Sequence, residues 1–329
     1  MKEQMQRVRT PNKVPRLVVA PSYIKGAFDS HAVDCPALFS HNGRHYMSFV
    51  GWDSIGYRTG LAVSNDLLNW TKEGLILGRG PAGTPTEFNA AMTGVLRDNA
   101  LFGSGAAKKV AGRFVGTYHA YPQPGYETGP AIIGLCFSDD LRKWEVSPPV
   151  LTPGKPGGWD SGGLYKSWLM EHAGTYYLFY NAKTDNGWPW KEQTGVAIST
   201  DLQRWEKYAG NPILPNGGPG SIDEVFASDP VVVRDGDTWV MFFYTLDSKG
   251  IARDSVAFSS DLLHWEKSHE VLIDVGAPGS IDSRYAHKPG IASAGGKLYH
   301  YYCAVAPAAN PNMGQIEHGE VRGISVATS

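Results

Sequence analysis

The sequence lacks three features that would place it with a membrane, with nucleic acid or in an oxidising compartment. No apolar run approaches the ~18 residues that suggest a membrane-spanning helix. The 30 Lys and Arg residues face 32 Asp and Glu residues and form no basic block, so a nucleic-acid partner is not expected. The three cysteines (Cys35, Cys136 and Cys303) show neither metal-site nor redox spacing, which fits a reducing compartment.

The first residues of the sequence also lack the apolar core of a secretory signal. Residues 1–13 are polar and basic. Together with the scattered cysteines, this segment predicts a cytoplasmic location and no membrane partner.

Glycine, proline and aromatic residues are abundant instead. The sequence has 39 Gly, 22 Pro, 16 Tyr, 12 Phe and 10 Trp. This mixture is typical of many short strands joined by tight turns. Aromatic segments such as Tyr176-Tyr-Leu-Phe-Tyr follow turn residues, and no window shows sustained helical periodicity. The sequence therefore predicts a nearly all-β protein.

One heptapeptide, Ser-x-Asp-Leu-x-x-Trp, occurs four times. Its copies begin at Ser64, Ser138, Ser199 and Ser259, and their tryptophans are 74, 61 and 60 residues apart. Self-similarity at such a period indicates repeated units, because one unit cannot bury its own apolar face. We expect the Ser and Asp side chains to bond nearby backbone N–H groups, and the Trp to pack between adjacent units.

A fifth unit is incomplete. Residues 323–329 resemble the strand before the heptapeptide, and the apolar segment 17–20 is expected to supply the missing outer strand. Closing the ring in this way removes exposed sheet edges. The sequence thus predicts a five-bladed β-propeller, with residues 1–15 as a tail and residues 16–329 as a single catalytic domain. The blades are expected near 34–72, 90–146, 160–207, 223–267 and 282–329.

A second repeat precedes the innermost strand of each unit. Segment 220–230 aligns without gaps to segments 279–289 and 26–36. One Asp recurs at an aligned position in four units: Asp29, Asp160, Asp223 and Asp282. A residue repeated around the ring is better explained by structure than by catalysis, which needs one copy of each group.

Functional residues are therefore sought where the units differ. Asp34 stands where another unit has His287, and Glu224 stands where other units have serine. Asp229 likewise stands where another unit has Lys288. Since the innermost strands of a propeller line its channel, these side chains are expected to converge on one pocket at the rim.

These features resemble the superfamily of five-bladed propeller glycoside hydrolases. It contains arabinanases and β-xylosidases of the family 43 type, and is related to invertase-type hydrolases and mannoside phosphorylases. The resemblance rests on the Ser-x-Asp-Leu-x-x-Trp turns, the Asp-x-Pro and Asp-Pro strand starts and the Gly-Tyr-Tyr-type strands, and covers about residues 28–329. The invertase-type Asn-Asp-Pro-Asn-Gly signature is absent. The resemblance implies an inverting, exo-acting glycosidase of carbohydrate metabolism that cleaves small oligosaccharides or glycosides.

The resemblance also implies three carboxylates with separate roles. Asp34 takes the place of the general base and Glu224 that of the general acid. Asp160 or Asp229 takes the place of a third carboxylate that raises the pKa of the acid by like-charge repulsion. Cleavage needs one protonated and one ionised carboxyl group on opposite faces of the sugar. Because Asp160 belongs to the repeated position, a structural role for it is equally well supported.

Other polar and aromatic side chains are expected to bind the small carbohydrate. They lie at strand starts, just after central strands or in loops: Trp52, Asp53, His119, Lys166, Arg284, His287 and Lys288. Loops 123–128 and 185–193, the latter with Trp188 and Trp190, are expected to roof the pocket and to favour exo action.

Two other functions stay open. Arg284, His287 and Lys288 suit phosphate, which would replace water in a phosphorylase. The second open function is that of a non-catalytic sugar-binding propeller, since a fold alone does not imply activity. The chemistry requires no cofactor. Related propellers often carry one Ca²⁺ in the channel, although the sequence has no contiguous carboxylate loop for it.

Overall fold

The protein is described from a computed structural model covering residues 2–185, 187–308 and 319–329. Strands make up 52% and helix 2% of it, which confirms the all-β prediction. The one helix among the described residues is α1 (Lys2–Val8), whose Met5 and Val8 are buried against the core. No helix in these ranges is long and apolar enough to cross a membrane.

Within the described residues the strands form five consecutive antiparallel meanders. The first contains β2 (Ala32–His41), β3 (Arg44–Trp52), β4 (Tyr57–Ser64) and β5 (Thr71–Leu77). The second contains β6 (Ala91–Val95), β7 (Lys109–Val110), β8 (Arg113–Ala120), β9 (Ile132–Ser138) and β10 (Glu145–Leu151). The third contains β11 (Gly163–His172), β12 (Thr175–Lys183), β13 (Glu192–Ser199) and β14 (Glu206–Lys207).

The last two meanders follow the same pattern. The fourth contains β15 (Phe226–Asp235), β16 (Thr238–Leu246), β17 (Ala252–Ser259) and β18 (Glu266–Ile273). The fifth contains β19 (Tyr285–Ala294), β20 (Lys297–Pro307) and β21 (Glu320–Thr328), with β1 (Asn12–Lys13) as its outer strand. Single parallel bridges, Glu192 to Phe226 and Ala252 to Tyr285, link the third, fourth and fifth meanders.

The N-terminal segment covers the edge of β21 in two short stretches. In β1, Asn12 lies opposite Thr328 and Lys13 opposite Ala327. The segment expected from the sequence, 17–20, contacts β21 further along, where the backbone N–H of Val18 donates to the carbonyl of Ile324 at 2.7 Å. The pairing strand therefore begins before the predicted one.

The four heptapeptides form one kind of turn. The hydroxyl of Ser138 accepts bonds from the backbone N–H groups of Asp140 at 3.3 Å and Leu141 at 2.8 Å. The Asp140 carboxylate accepts bonds from the two residues after the leucine, at 2.8 and 2.9 Å. Equivalent bonds form in the turns that begin at Ser64, Ser199 and Ser259. These contacts confirm the predicted side-chain-to-backbone bonding.

The heptapeptide tryptophans pack between neighbouring meanders, as predicted. The Trp70 ring meets Tyr301 of β20 with centroids 5.8 Å apart, and Trp265 meets Phe179 of β12 at 6.1 Å. Trp144 and Trp205 pack into apolar clusters that include residues of the preceding meander. The core thus lies between the meanders rather than inside any one of them.

The recurring Asp of the second repeat binds a lysine of the outer strand in the same meander. Burial of a carboxylate is tolerated when it is paired. The four ion pairs are Asp29–Lys72 (2.5 Å), Asp160–Lys207 (2.5 Å), Asp282–Lys13 (2.6 Å) and Asp223–Lys267. In the fifth meander the lysine comes from β1. The repetition of this Asp is therefore explained by a contact that fastens the outer strand.

Candidate active site

Every innermost strand carries a β-bulge near its start. The pairing register shifts by a residue in β2, β6, β11, β15 and β19. Four bulged residues have positive φ angles: Cys35 (51°), Lys166 (21°), Asp229 (57°) and Lys288 (67°). A bulge re-aims a side chain and is common beside active sites. These four side chains face one cavity.

The cavity has a volume of about 610 Å³. This size suits a small-molecule ligand. Its walls are largely aromatic, formed by Tyr57, Tyr126, Tyr165, Trp188, Trp190, Phe226, Tyr244 and Tyr285. The two loops expected to roof the pocket contribute Tyr126, Glu127, Trp188 and Trp190 to this lining.

Five of the predicted substrate-binding residues line the cavity: His119, Lys166, Arg284, His287 and Lys288. Trp52 and Asp53 lie outside its lining. Trp52 packs behind the wall against Tyr57 and Tyr126, with centroids 5.2 and 5.6 Å apart. Asp53 accepts bonds from the guanidinium groups of two arginines, each at 2.5 Å.

Asp34 lies beneath the cavity floor as a doubly paired carboxylate. Its Oδ2 accepts bonds from Lys288 Nζ at 2.8 Å and from Arg322 Nη1 at 3.0 Å, and its Oδ1 accepts from the backbone N–H of Cys35 at 2.8 Å. Burial alone would raise the pKa of Asp34, but the two cations outweigh it and hold this pKa far below the ordinary value. Asp34 is therefore ionised and held in place.

The structure does not bring Glu224 or Asp160 into the cavity lining. Glu224 is half-exposed in the loop before β15, and its Oε2 accepts the backbone N–H of Gly220 at 2.9 Å. That bond is the main reason why the pKa of Glu224 lies below its ordinary value, whereas a general acid needs a raised one. Asp160 is bound to Lys207. Neither placement favours the predicted roles.

Two other carboxyl groups share one amide. Asn181 Nδ2 donates to Glu192 Oε2 at 3.1 Å and to Asp229 Oδ1 at 2.9 Å. Burial raises the pKa of Glu192 and that of Asp229 above their ordinary values, although Lys183 and Lys166, respectively, oppose the shift. Repulsion by Asp229 adds to the upward shift of the Glu192 pKa.

Glu127 is the ionised counterpart on the roof loop. Its Oε2 accepts a bond from Lys183 Nζ at 3.3 Å. Burial alone would raise the pKa of Glu127, but Lys183 and Lys288 lower it below the ordinary value. The Lys183 ammonium lies 4.5 Å from the centroid of Trp190, whose Nε1 donates to Glu192 Oε1 at 3.0 Å. Lys183 and Trp190 thus connect Glu127, whose pKa is lowered, to Glu192, whose pKa is raised.

Three further titratable groups of the cavity are neutral. Burial, followed by Lys288, lowers the pKa of His287 well below its ordinary value, and the Nδ1 of His287 donates to the carbonyl of Cys303 at 3.3 Å. Burial lowers the pKa of His119 to about 3 and raises that of Cys35 to about 12. Cys35 is therefore a thiol rather than a nucleophilic thiolate near neutral pH.

Sequence reasoning missed Glu192, although a signal for it exists. Glu192 and Glu320 stand three residues before Gly195 and Gly323, at the same repeat position, where the other units have Tyr57, Ala131 and Ala252. The difference lies in the third strand of each meander, whereas the predicted site residues come from the start of the innermost strand. Glu127 lies in a loop without a counterpart in the repeat, so no comparison between units reveals it.

The described residues offer no clear set of ligands for the calcium ion that the resemblance suggests. Within residues 2–185, 187–308 and 319–329, no group of three or more His, Cys, Asp or Glu side chains could hold a metal ion. Ca²⁺ prefers six to eight oxygen ligands. The channel residues in these ranges do not fit that requirement.

Comparison of the sequence with models of protein families identifies the family of the protein. A model of the glycosyl hydrolases family 32 N-terminal domain matches residues 110–278, more than half of the chain. The chain itself belongs to this family. The narrower family 43 resemblance is not confirmed, whereas a glycosidase-type enzyme acting on carbohydrate is supported.

Relatives of this family 32 chain include proteins with and without a named activity. Uncharacterized protein Rv1502 of Mycobacterium tuberculosis is 31% identical over 190 residues, which are 54% of this chain and 59% of that protein. The 1,2-beta-oligomannan phosphorylase of Thermoanaerobacter sp. is 28% identical over 156 residues, 46% of this chain and 43% of its own. This chain thus spans less than two thirds of these curated relatives.

Some solved protein structures superpose on nearly the whole of this chain. The structure of BT0996 in an RGII complex superposes with a TM-score of 0.83 at 28% identity, covering 99% of this chain and 94% of that protein. A second structure, named a glycoside hydrolase, superposes with a TM-score of 0.82 at 26% identity, covering 100% of this chain and 94% of that protein. The chain thus shares its fold with that glycoside hydrolase.

Proposed function

We propose that the protein is a five-bladed propeller glycosidase, closed by β1, with Glu192 as its general acid and Glu127 as its ionised carboxylate. One observation carries the proposal. Asn181 Nδ2 donates to both Glu192 and Asp229, where the pKa of Glu192 is raised, and Lys183 Nζ donates to Glu127 in the same cavity, where the pKa of Glu127 is lowered. Glycosidases need two carboxyl groups in opposite protonation states, and opposite pKa shifts favour that difference.

The roles follow from the protonation states. Glu192 gives its proton to the leaving oxygen as the glycosidic bond breaks, and Asp229 keeps Glu192 protonated beforehand by repulsion. Glu127 takes the proton of an attacking water, which keeps the inversion expected from the sequence. If Glu127 instead attacks the anomeric carbon directly, the configuration is retained. NMR detection of the anomer released first distinguishes these two routes.

Asp34 has a different role in this proposal from the predicted general base. Both of its oxygens are already engaged, by Lys288, Arg322 and the Cys35 amide. It orients the two cations toward the cavity rather than activating water. Exo action on a short glycoside is supported by the loops that bring Tyr126 and Trp188 over the cavity.

The test is a panel of aryl furanosides and pyranosides assayed with matched variants. Glu192→Gln should lower kcat/KM on the best substrate by about 10²–10⁴-fold, because a positioned general acid contributes that much. Glu224→Gln, outside the cavity, should retain activity. Loss of activity in Glu224→Gln with an unchanged Glu192→Gln enzyme would reverse the assignment. Sugar binding without turnover across the panel would indicate a non-catalytic protein.

Phosphorolysis is the second candidate, favoured by the phosphorylase relative and by Arg284, His287 and Lys288 at the cavity. Against it, Lys288 is engaged by Asp34, and His287 is neutral. Products formed with and without phosphate separate the two reactions. Hydrolysis gives the same free sugar in both, whereas phosphorolysis gives a sugar 1-phosphate only when phosphate is present.

A further inference from the structure

We propose that Trp188, supported by Trp190, forms the leaving-group subsite of the cavity, where the sugar ring released by cleavage stacks on the Trp188 indole. The inference rests on the proposed glycosidase function and names its substrate class: glycosides whose leaving group is a second sugar ring, rather than simple alkyl glycosides. It follows from where the two indoles lie relative to Glu192, the proposed general acid.

Trp190 lies on the solvent side of Glu192. Its indole Nε1 donates to Glu192 Oε1 at 3.0 Å, whereas Asn181 Nδ2 donates to Oε2, the other oxygen of the same carboxyl group, at 3.1 Å. Asn181 is fully buried, whereas Trp190 is only partly buried. Two residues further back in the loop, Trp188 is 66% exposed and still lines the cavity. The loop therefore leads from the acid out to solvent.

Trp188 extends an aromatic wall of the cavity. Its ring centroid lies 5.1 Å from that of Trp190 and 6.5 Å from that of Phe226, and the Phe226 centroid lies 5.7 Å from that of Tyr244. Phe226 and Tyr244 are buried, so this wall opens to solvent at the indoles. A single exposed aromatic residue is ordinary on a protein surface, whereas one that continues a ligand cavity offers an apolar face to that ligand.

The ring of Trp190 is already covered by protein groups. The Lys183 ammonium lies 4.5 Å from its centroid, and the nearly parallel ring of Phe226 lies 6.4 Å away at an interplanar angle of 17°. Trp188 instead meets Trp190 edge to face, at 89°. Trp190 thus holds Trp188 in place, and the exposed Trp188 indole supplies the stacking surface.

The position of the acid decides which part of the substrate meets Trp188. A general acid protonates the oxygen between the two sugars, so the cleaved sugar and the leaving sugar lie on opposite sides of that oxygen. The cleaved sugar occupies the closed part of the cavity, beside the buried side chains of Asp229 and His287. The leaving sugar then extends outward past Glu192 to Trp188, where its C–H groups pack against the indole.

A cycle that changes both substrate and protein tests this contact. The probes are disaccharides in which the sugar cleaved best from the aryl panel is joined to glucose at O2, O3, O4 or O6. Each is compared with its borohydride-reduced form, in which the leaving glucose is opened to glucitol. For the disaccharide that the wild-type enzyme cleaves best, reduction should lower kcat/KM about 10-fold, because the stacking ring is lost. In Trp188→Ala the same reduction should lower kcat/KM about 2-fold or less, since the indole is already missing.

Two variants are the controls. Trp188→Phe keeps an aromatic ring and should preserve most of the preference for the closed leaving sugar. Tyr23 is another exposed aromatic residue, at 43%, but it does not line the cavity. Tyr23→Ala should therefore show the full wild-type preference. Loss of the preference in Tyr23→Ala as well would assign the effect to general destabilisation and would count against the proposal.

Two results would overturn the inference and leave the glycosidase function intact. One is a wild-type enzyme that cleaves the closed and the reduced disaccharides equally well. The other is a preference that persists undiminished in Trp188→Ala, which would place the leaving sugar elsewhere. Failure of the proposed function is separate: it appears as unchanged turnover in Glu192→Gln on every substrate, or as no turnover by the wild type across the aryl panel.

Discussion

Glu127 and Glu192 are the same chemical group in different surroundings. Glu127 faces Lys183 and Lys288, which lower its pKa, whereas burial and neighbouring carboxylates raise that of Glu192. We expect a bell-shaped dependence of kcat/KM on pH. Activity should fall on the acid side only as pH drops below the ordinary glutamate value of about 4.3, where Glu127 takes up a proton. It should fall on the alkaline side above that value, as Glu192 loses its proton.

Lys183→Met checks the origin of this profile. Lys183 lowers the pKa of both glutamates, so its removal should move both limbs of the profile to higher pH. Lys207→Met, which removes a lysine bound to Asp160 outside the cavity, is the control and should leave both limbs in place. A profile unmoved by Lys183→Met would contradict the assigned protonation states.

The heptapeptide turn sets the geometry of each outer hairpin. Ser259 Oγ accepts the backbone N–H groups of Asp261 at 3.1 Å and Leu262 at 3.0 Å. Ser259→Ala should therefore cost ~1 kcal/mol of unfolding free energy, because it removes the acceptor of two turn bonds. The neighbouring Ser260 is exposed, and Ser260→Ala should have almost no effect. Thermal unfolding of the two variants gives the comparison, and equal midpoints would refute this account of the turn.

Elements whose structure depends on residues close together in the sequence were predictable. Elements that depend on contacts between distant residues were less so. The turns follow from Ser, Asp and Leu within seven residues, and the tryptophan positions follow from the period of the repeat. The strand that pairs with β21 is Asn12–Lys13, a polar dipeptide without a strand pattern. Its pairing depends on Lys13 reaching Asp282, far away in the sequence. Helix α1 is likewise held by the burial of Met5 and Val8.

At the scale of the whole molecule, one ion pair fastens the N-terminal strand β1 to the fifth meander. Lys13 Nζ lies 2.6 Å from Asp282 Oδ2, with the lysine 31% and the aspartate 4% exposed. Lys13→Met should cost about 1–3 kcal/mol, less than for a fully buried pair because the lysine is partly solvated. Lys207→Met, which breaks the equivalent pair of the third meander, should cost a similar amount. Urea unfolding of both variants measures the two costs.

The pH dependence of that cost identifies its cause. Burial alone would raise the pKa of Asp282, but Lys13 outweighs it and lowers this pKa below the ordinary value. The pair therefore contributes stability above about pH 3.9, the unfolded value, and loses it as pH falls through the lower folded value. The difference between wild type and Lys13→Met should shrink in acid. A difference independent of pH would show that packing, not charge, holds β1.

At the same scale, the repeat predicted the fold better than the site. Lys288 and His287 reach the cavity because Lys288 lies in the bulge of β19 and His287 directly precedes it, at positions that differ between units. Glu224 stands at a differing position too, yet its side chain turns back to Gly220. The direction of a side chain at the start of an innermost strand depends on how that strand pairs with its neighbour. An alignment of the repeated units does not contain this information. Glu192 was missed because it belongs to the third strand rather than the innermost one.

The most direct measurement of the central claim is the leaving-group dependence of Glu192→Gln. A methyl glycoside needs its leaving oxygen protonated, whereas a 2,4-dinitrophenyl glycoside departs without a proton. We predict a loss in kcat/KM of about 10²-fold or more on the methyl glycoside and little loss on the dinitrophenyl glycoside. An equal loss on both substrates would contradict the assignment of Glu192 as the general acid.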